Sequence, residues 1–167
     1  DTELKDKLIS IRVHGASSHR YIHDKVGING RLDTIQAAIL IEKLAIFDEE
    51  LQMRNHVADK YRNNLEPQFI FQTIPDGFQS AWAQLSILAE SEKERSDYQS
   101  QLKNNDIPFA IYYPIPLHLQ EIFKTNNAVQ LPVCEDLSTI IFSLPMHPYL
   151  DTKSIDNITQ TLLTVRA

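Results

Sequence analysis

The chain is poor in the residues that would staple it, cage a metal or span a bilayer. Cys134 is the single cysteine in 167 residues, which excludes an internal disulfide and any cysteine-based metal cage. It reads as a small buried hydrophobe in a reducing compartment. No apolar run reaches the roughly 20 residues that a membrane-spanning helix needs. The opening DTELKDKLIS carries charges where a signal peptide needs an apolar core. Basic charge is in short supply too: 16 Lys and Arg stand against 22 Asp and Glu, for a formal net charge of -6. Without a basic face, nucleic acid is not expected as the main partner. There is no glycine-rich phosphate loop, no Ser/His/Asp nucleophile arrangement, no helical His-Glu pair, no repeat and no low-complexity tract. The expectation is a cytoplasmic protein that binds neither membrane nor nucleic acid.

What is present suffices for a core. At 43% hydrophobic residues, the length permits one domain plus an appendage. The densest segment is GINGRLDTIQAAIL, Gly27 to Leu40. Asp33 is placed to cap a helix beginning near Thr34, with Gln36 at capping-box spacing. Just ahead stand Asn29 and Arg31, a neutral donor and a planar cationic fork. They sit on a turn that Gly27 and Gly30 are expected to bend through unusual backbone angles. Such a turn suits an anionic ligand; the competing reading is a structural turn with a helix-end salt bridge.

Along the chain, residues 1 to 10 read as the end of a charged helix and Ser10 to Val13 as a short strand. From His14 to Gly30 the polar, aperiodic sequence predicts an extended loop or hairpin. The helix from Thr34 is apolar nearly all round over Ile35 to Ile41, which predicts burial on several sides. It continues as one stripe through Leu44, Phe47, Leu51, Ala58, Tyr61 and Leu65, interrupted by Arg54. Pro67 ends it near Glu66, because proline disfavours helical angles in the residue before it. Glu49, Glu50 and Arg54, with Asp59 and Arg62, are assigned to its outer faces. Alternation from Ala81 to Ala89 predicts a strand with one buried face. Then follow a helix over Lys93 to Asn104, a proline-flanked edge strand over Phe109 to Tyr113, a short helix over Leu131 to Ile141 and an extended Ser143 to Met146. Asp151 caps a last helix whose stripe is Ile155, Ile158, Leu162 and Val165. The pattern is a compact α/β layer, with the boundary inside the long helix: 1-45 belongs with a larger domain and 46-167 forms a small one.

Two further clusters carry polar chemistry. Tyr112-Tyr113-Pro114-Ile115-Pro116-Leu117-His118 places two phenols and an imidazole on a proline-stiffened path, either at a ligand or packed at a domain edge. His14, His19 and His23 lie close in sequence, but the loop offers no tightly placed carboxylate apart from Asp24. Hydrogen bonding within the hairpin is therefore preferred to a metal site, and no metal is expected. Trp82 is read as a core or interface ring.

The segment from His14-Gly15 through Arg20-Tyr21, His23, Gly27, Asn29, Arg31-Leu32-Asp33 and Gln36-Ala37-Ala38 closely resembles the DegT/DnrJ/EryC1/StrS family of sugar aminotransferases. SAWAQLSIL, YYPIPLHLQ, LPVCEDLS and SLPMHPYL follow in the family's order, so the resemblance covers nearly the whole chain. It implies the C-terminal part of a fold-type I α/β aminotransferase dependent on pyridoxal 5'-phosphate (PLP). The end of the large domain would carry a dimer-crossing hairpin, followed by the small α/β domain.

The family anchors PLP as a Schiff base on a lysine upstream of the matching segment. None of the nine lysines here sits in such a turn, and Lys5, Lys7 and Lys25 read as solvated charges. The resemblance therefore implies a portion of a longer enzyme, inactive by itself. It implies a homodimer with shared active sites, in which Asn29 contacts the phosphate of the cofactor in the neighbouring subunit and Arg31 the acidic part of a sugar nucleotide. Tyr113 and His118, with Tyr112 where some relatives place histidine, are implied at the substrate. The chemistry implied is amino transfer, with glutamate as donor, to a keto group of a nucleotide-linked sugar. GRLDTIQAAIL and the YYP step look most like the branch acting on UDP-linked 3-keto-N-acetylglucosaminuronic acid, toward lipopolysaccharide or O-antigen. Two alternatives stay open: a dehydratase of the same fold using non-covalent pyridoxamine phosphate, and a non-catalytic sugar-nucleotide binding or regulatory relative.

Overall fold

The structure, a computed structural model, describes residues 1-19, 21-123 and 129-165. Arg20, part of the motif quoted above, lies outside the described residues. The chain divides into two compact units, Asp1–Phe47 and Asp48–Ala167.

In the first unit, helix α1 (Thr2–Arg12) starts at Asp1, whose carboxylate accepts from the Leu4 amide at 3.1 Å. It runs through most of the stretch expected as a strand: the Val13 amide donates to Ser10 at 3.0 Å, and only Val13 forms an isolated bridge, with Asn29. The four residues Ser-Ile-Arg-Val are too few to distinguish the two periods, and extending an existing helix needs no new nucleus. The loop from His14 to Gly30 closes on itself through this bridge and a second, Ala16 with His23. Helix α2 (Thr34–Ala45) begins at Asp33, whose Oδ1 accepts from the Ile35 amide at 2.9 Å.

The apolar residues of α2 are not buried as expected: Ile35 is 74%, Ile41 67% and Leu44 75% exposed. Burial needs an opposing surface, and α1 buries none of its own residues either. The long helix is also broken. Ile46 leaves helical geometry at φ -107°, ψ 6°, and helix α3 starts anew at Phe47 and runs to Leu65. No glycine or proline marks the break, and nothing in the sequence accounts for it.

The second unit builds the core. Strands β1 (Ile70–Phe71), β2 (Leu85–Leu88) and β3 (Ile141–Leu144) form an antiparallel sheet in the order β1-β2-β3. The register pairs Ile70 with Leu88, and Leu85 with Leu144. β2 alternates as expected, Leu85 and Ile87 being buried and Ser86 and Leu88 half-buried. Its first half is not strand, because Trp82 sits at φ 44°, outside strand geometry. Trp82 is a core ring whose indole N–H donates to Asn55 Oδ1 at 2.9 Å. Of the expected edge strand Phe109 to Tyr113, only an Ala110 bridge to Ser143 forms. The last strand is Ile141–Leu144, shifted toward the N-terminus of the expected Ser143 to Met146.

Helices α4 (Glu92–Asn104), α5 (Pro132–Ile140) and α6 (Thr152–Leu163) complete the unit. Ser91 caps α4 by accepting from the Glu94 amide at 3.1 Å, and Asp151 caps α6 from Ser154 at 2.8 Å. The core joins Tyr61 and Leu65 of α3, Tyr98 and Leu102 of α4, Phe142 of β3, and Ile155, Ile158 and Leu162 of α6. Val165 packs against this cluster from its margin. The Tyr98 ring stacks on Phe142 at 5.6 Å, and each such large apolar side chain contributes about 1.5–3 kcal/mol by leaving water. Tyr61 donates its hydroxyl to Pro145 O at 3.0 Å, and burial pushes its pKa up.

Two residues assigned to the outer face of α3 turn inward instead. Glu50 is buried and accepts from the Tyr149 hydroxyl, while Arg54 donates to Trp82 O at 2.9 Å. Each finds a polar partner, which offsets part of the cost of taking it out of water. Among the described residues, no helix is long and apolar enough to cross a membrane.

Candidate functional site

The turn that presents Asn29 and Arg31 is fastened to the end of α1. The carbonyls of Ile11 and Arg12, left over where the helix stops, accept from the amides of Ile28 and Gly30, both at 2.8 Å, and the His14 amide returns a bond to Ile28 O at 2.9 Å. Close approach, not unusual backbone angles, demands the glycine here. A Cβ on Gly27 would lie 2.1 Å from Gly15 N and 2.4 Å from His14 C, and neither Gly27 nor Gly30 has a positive φ. The positive φ, +73°, belongs to Gly15, whose own Cβ would fall 1.8 Å from Lys25 O. His14-Gly15 and Gly27 are thus two sides of one tight crossing.

On this support, Arg31 Nε donates to Asn29 Oδ1 at 3.0 Å, with both residues exposed. The helix-end salt bridge of the competing reading does not form at Arg31 among the described residues, where its recorded partner is Asn29. Asn29 Oδ1 is occupied by Arg31, so the pair offers outward the Asn29 amide N–H groups and the two terminal nitrogens of the guanidinium. That is a set of donors only, suited to phosphate or carboxylate oxygens, which guanidinium grips in a bidentate way.

The neighbouring histidines bond within the loop: His23 Nδ1 lies 3.1 Å from His14 O, and His19 Nδ1 accepts from the Tyr21 amide at 3.4 Å. Among the described residues no group of three or more His, Cys, Asp or Glu is placed to hold a metal ion. Lys5, Lys7 and Lys25 are exposed, and Lys25 pairs with Asp24 at 2.9 Å.

The second constellation lies in the other unit. Tyr112 and Tyr113, joined by a cis peptide bond, set their rings edge-on at 5.9 Å and 74°. Both line a cavity of about 1070 Å³ whose far wall is α5 and its N-cap, through Leu131, Val133, Cys134 and Leu137. Cys134 is accordingly exposed rather than buried, and it takes no part in the core. The walls are mostly apolar.

His118 sits in a short 3-10 turn, Leu117–Leu119, and is not part of the cavity lining. Its side chain is 16% exposed, and Nε2 lies 2.9 Å from Glu135 Oε1 on α5. The same Oε1 accepts from the Leu131 amide at 2.9 Å. The hydrogen bond from His118, then that from Leu131, holds the Glu135 carboxyl below the usual range. Sequence reasoning missed Glu135: it stands 17 residues from His118, and no local spacing signals the pair.

The sequence profile of the DegT/DnrJ/EryC1/StrS aminotransferase family matches residues 1–163. The chain is 42% identical over 163 residues to the UDP-2-acetamido-2-deoxy-3-oxo-D-glucuronate aminotransferase of Pseudomonas aeruginosa, covering 97% of this chain and 44% of that protein. A protein of Geobacillus stearothermophilus named pleiotropic regulatory protein is 37% identical over 156 residues, covering 90% of this chain and 41% of that one. Among solved structures, a DegT DnrJ EryC1 StrS aminotransferase from Brucella abortus superposes with a TM-score of 0.86 at 42% identity, over 98% of this chain and 44% of its own. The chain thus spans less than half the length of the relatives it matches. Its mixed helix and sheet architecture is part of an α/β aminotransferase fold. With a profile that runs from the N-cap of α1 to the end of α6 and passes through both constellations, the chain belongs to the DegT/DnrJ/EryC1/StrS aminotransferase family.

Proposed function

We propose that this chain is the C-terminal portion of a PLP-dependent sugar aminotransferase, which transfers the amino group of glutamate to the keto group of a UDP-linked 3-keto-N-acetylglucosaminuronic acid. The observation that carries the reading is the 42% identity, over 97% of the chain, to a protein named for that substrate. In this reading residues 1-45 complete the cofactor-binding domain and 46-167 form the small domain. The protein works in the cytoplasm as a homodimer with shared active sites, and its product enters lipopolysaccharide or O-antigen.

Asn29 donates its amide N–H to the cofactor phosphate, a role its chemistry fits because its oxygen is already held by Arg31. Arg31 grips the acidic part of the sugar nucleotide, oriented by the bond from its own Nε. Tyr112 and Tyr113 contact the substrate from a mostly apolar wall, and His118 contacts it from the adjoining turn. PLP supplies an electron sink when bound; these residues bind and orient. The lysine that anchors it lies outside this chain, and the isolated chain is inactive.

The relative named as a regulatory protein supports a second reading, a binding protein that does not transfer amino groups. In the full-length protein, Arg31→Ala is expected to lower kcat/KM for the UDP-linked keto sugar about 100-fold, on the order of 3 kcal/mol. Asn29→Ala is expected to weaken PLP retention. Unchanged kinetics in Arg31→Ala would remove the substrate role of the turn.

A further inference from the structure

The polar atoms of His118 are not equivalent. Nε2 faces Glu135 Oε1 at 2.9 Å, whereas Nδ1 has no partner among the described residues. A carboxylate only accepts hydrogen bonds, so the neutral imidazole must place its proton on Nε2 and keep Nδ1 bare. Glu135 is itself fixed. It lies in the first turn of α5, where Pro132 supplies no amide and Leu131 has no side-chain cap, and its Oε1 takes the Leu131 amide at 2.9 Å. The carboxylate therefore serves two donors on two elements, the start of α5 and the 3-10 turn that carries His118. With its side chain 16% exposed, the imidazole has little freedom to turn over.

We infer that Glu135 is a positioning residue that holds His118 with Nε2 protonated, so that His118 meets the substrate as a hydrogen-bond acceptor at Nδ1. The ligand group this selects is a donor, a sugar hydroxyl or an amide N–H, and not a phosphate or carboxylate oxygen. Recognition at the two constellations is then complementary: the Asn29–Arg31 turn offers only donors and His118 only an acceptor. The inference rests on the reading that His118 contacts the sugar nucleotide.

The test uses the full-length protein with 15N-labelled histidine, above the imidazole titration, together with steady-state kinetics on the UDP-linked keto sugar. The expected His118 spectrum has a protonated Nε2 and a bare Nδ1. In Glu135→Ala this preference collapses toward a mixture and KM rises about tenfold, with kcat changed less. Glu135→Gln, whose amide oxygen still accepts from Nε2–H and from the Leu131 amide, recovers most of both effects. A proton on Nδ1 in the wild type overturns the inference, and so does a tautomer indifferent to Glu135→Ala. His118→Gln separates the two layers of the argument. If it raises KM while Glu135→Ala does not, positioning by Glu135 is wrong and the substrate role of His118 stands. If it leaves KM unchanged, the substrate role itself is wrong, and the inference falls with it.

Discussion

The two units of this chain spend their apolar residues in opposite ways. Asp48–Ala167 gathers aromatic and aliphatic side chains from three helices and a sheet until Tyr61, Tyr98, Phe142 and Leu162 are fully enclosed. Asp1–Phe47 carries two helices with good caps, yet the only buried residue described in it is Gly15. Capping and periodicity decide where a helix forms; enclosure depends on whether another layer is there to receive it. What the first unit does build well is a backbone crossing, Gly15 against Gly27, that aims two donor side chains outward.

The contrast can be broken at several levels. The largest effect is expected from separating the units: residues 48-165 alone should unfold in one cooperative transition, and residues 1-47 alone should give the collapsed amide dispersion of an unordered peptide. Persistent slow amide exchange in the short piece would contradict the comparison. Next in size, Leu102→Ala should cost about 2–5 kcal/mol by denaturant titration, against about 0.5 kcal/mol or less for Ile41→Ala, which is 67% exposed. Ser91→Ala, which removes the α4 cap, is expected to cost about 1 kcal/mol.

The smallest effect is electrostatic. Asn64 donates to Asp156 at 2.9 Å and Lys60 pairs with it at 3.2 Å, tying α6 to α3 and holding that carboxyl below its usual range. A depressed folded-state pKa adds stability above the unfolded value and loses it as pH falls through the folded one. Acidification through the carboxylate range should therefore weaken the second unit, and Asp156→Asn should flatten that slope.

Much of the second unit was legible because its signals are local. Asp151 and the stripe Ile155, Ile158, Leu162 specify α6, and Pro67 places the end of α3, with no knowledge of what they pack against. Several misreadings in this unit share a cause, which is that they were decided across the fold. Glu50 and Arg54 look solvent-facing until Tyr149 and Trp82 arrive from distant segments to meet them. β1 is two residues long and carries no periodicity. The strand expected from Ala81 is shortened by the turn at Trp82, whose ring enters the core. At the candidate site, Asn29 and Arg31 stood out through glycine and charge in one short segment, and their mutual bond follows from a spacing of two. The carboxylate behind His118 did not, because α5 brings it there.

The central claim is that these two constellations serve amino transfer to a sugar nucleotide. The most direct test follows the cofactor absorbance of the full-length protein, first with glutamate alone and then with the UDP-linked keto sugar. The account predicts a change on adding glutamate, its reversal on adding the sugar, and loss of that reversal in Arg31→Ala. Binding of the sugar nucleotide with no spectral change at either step would contradict it and leave a protein that recognises the ligand without transferring an amino group.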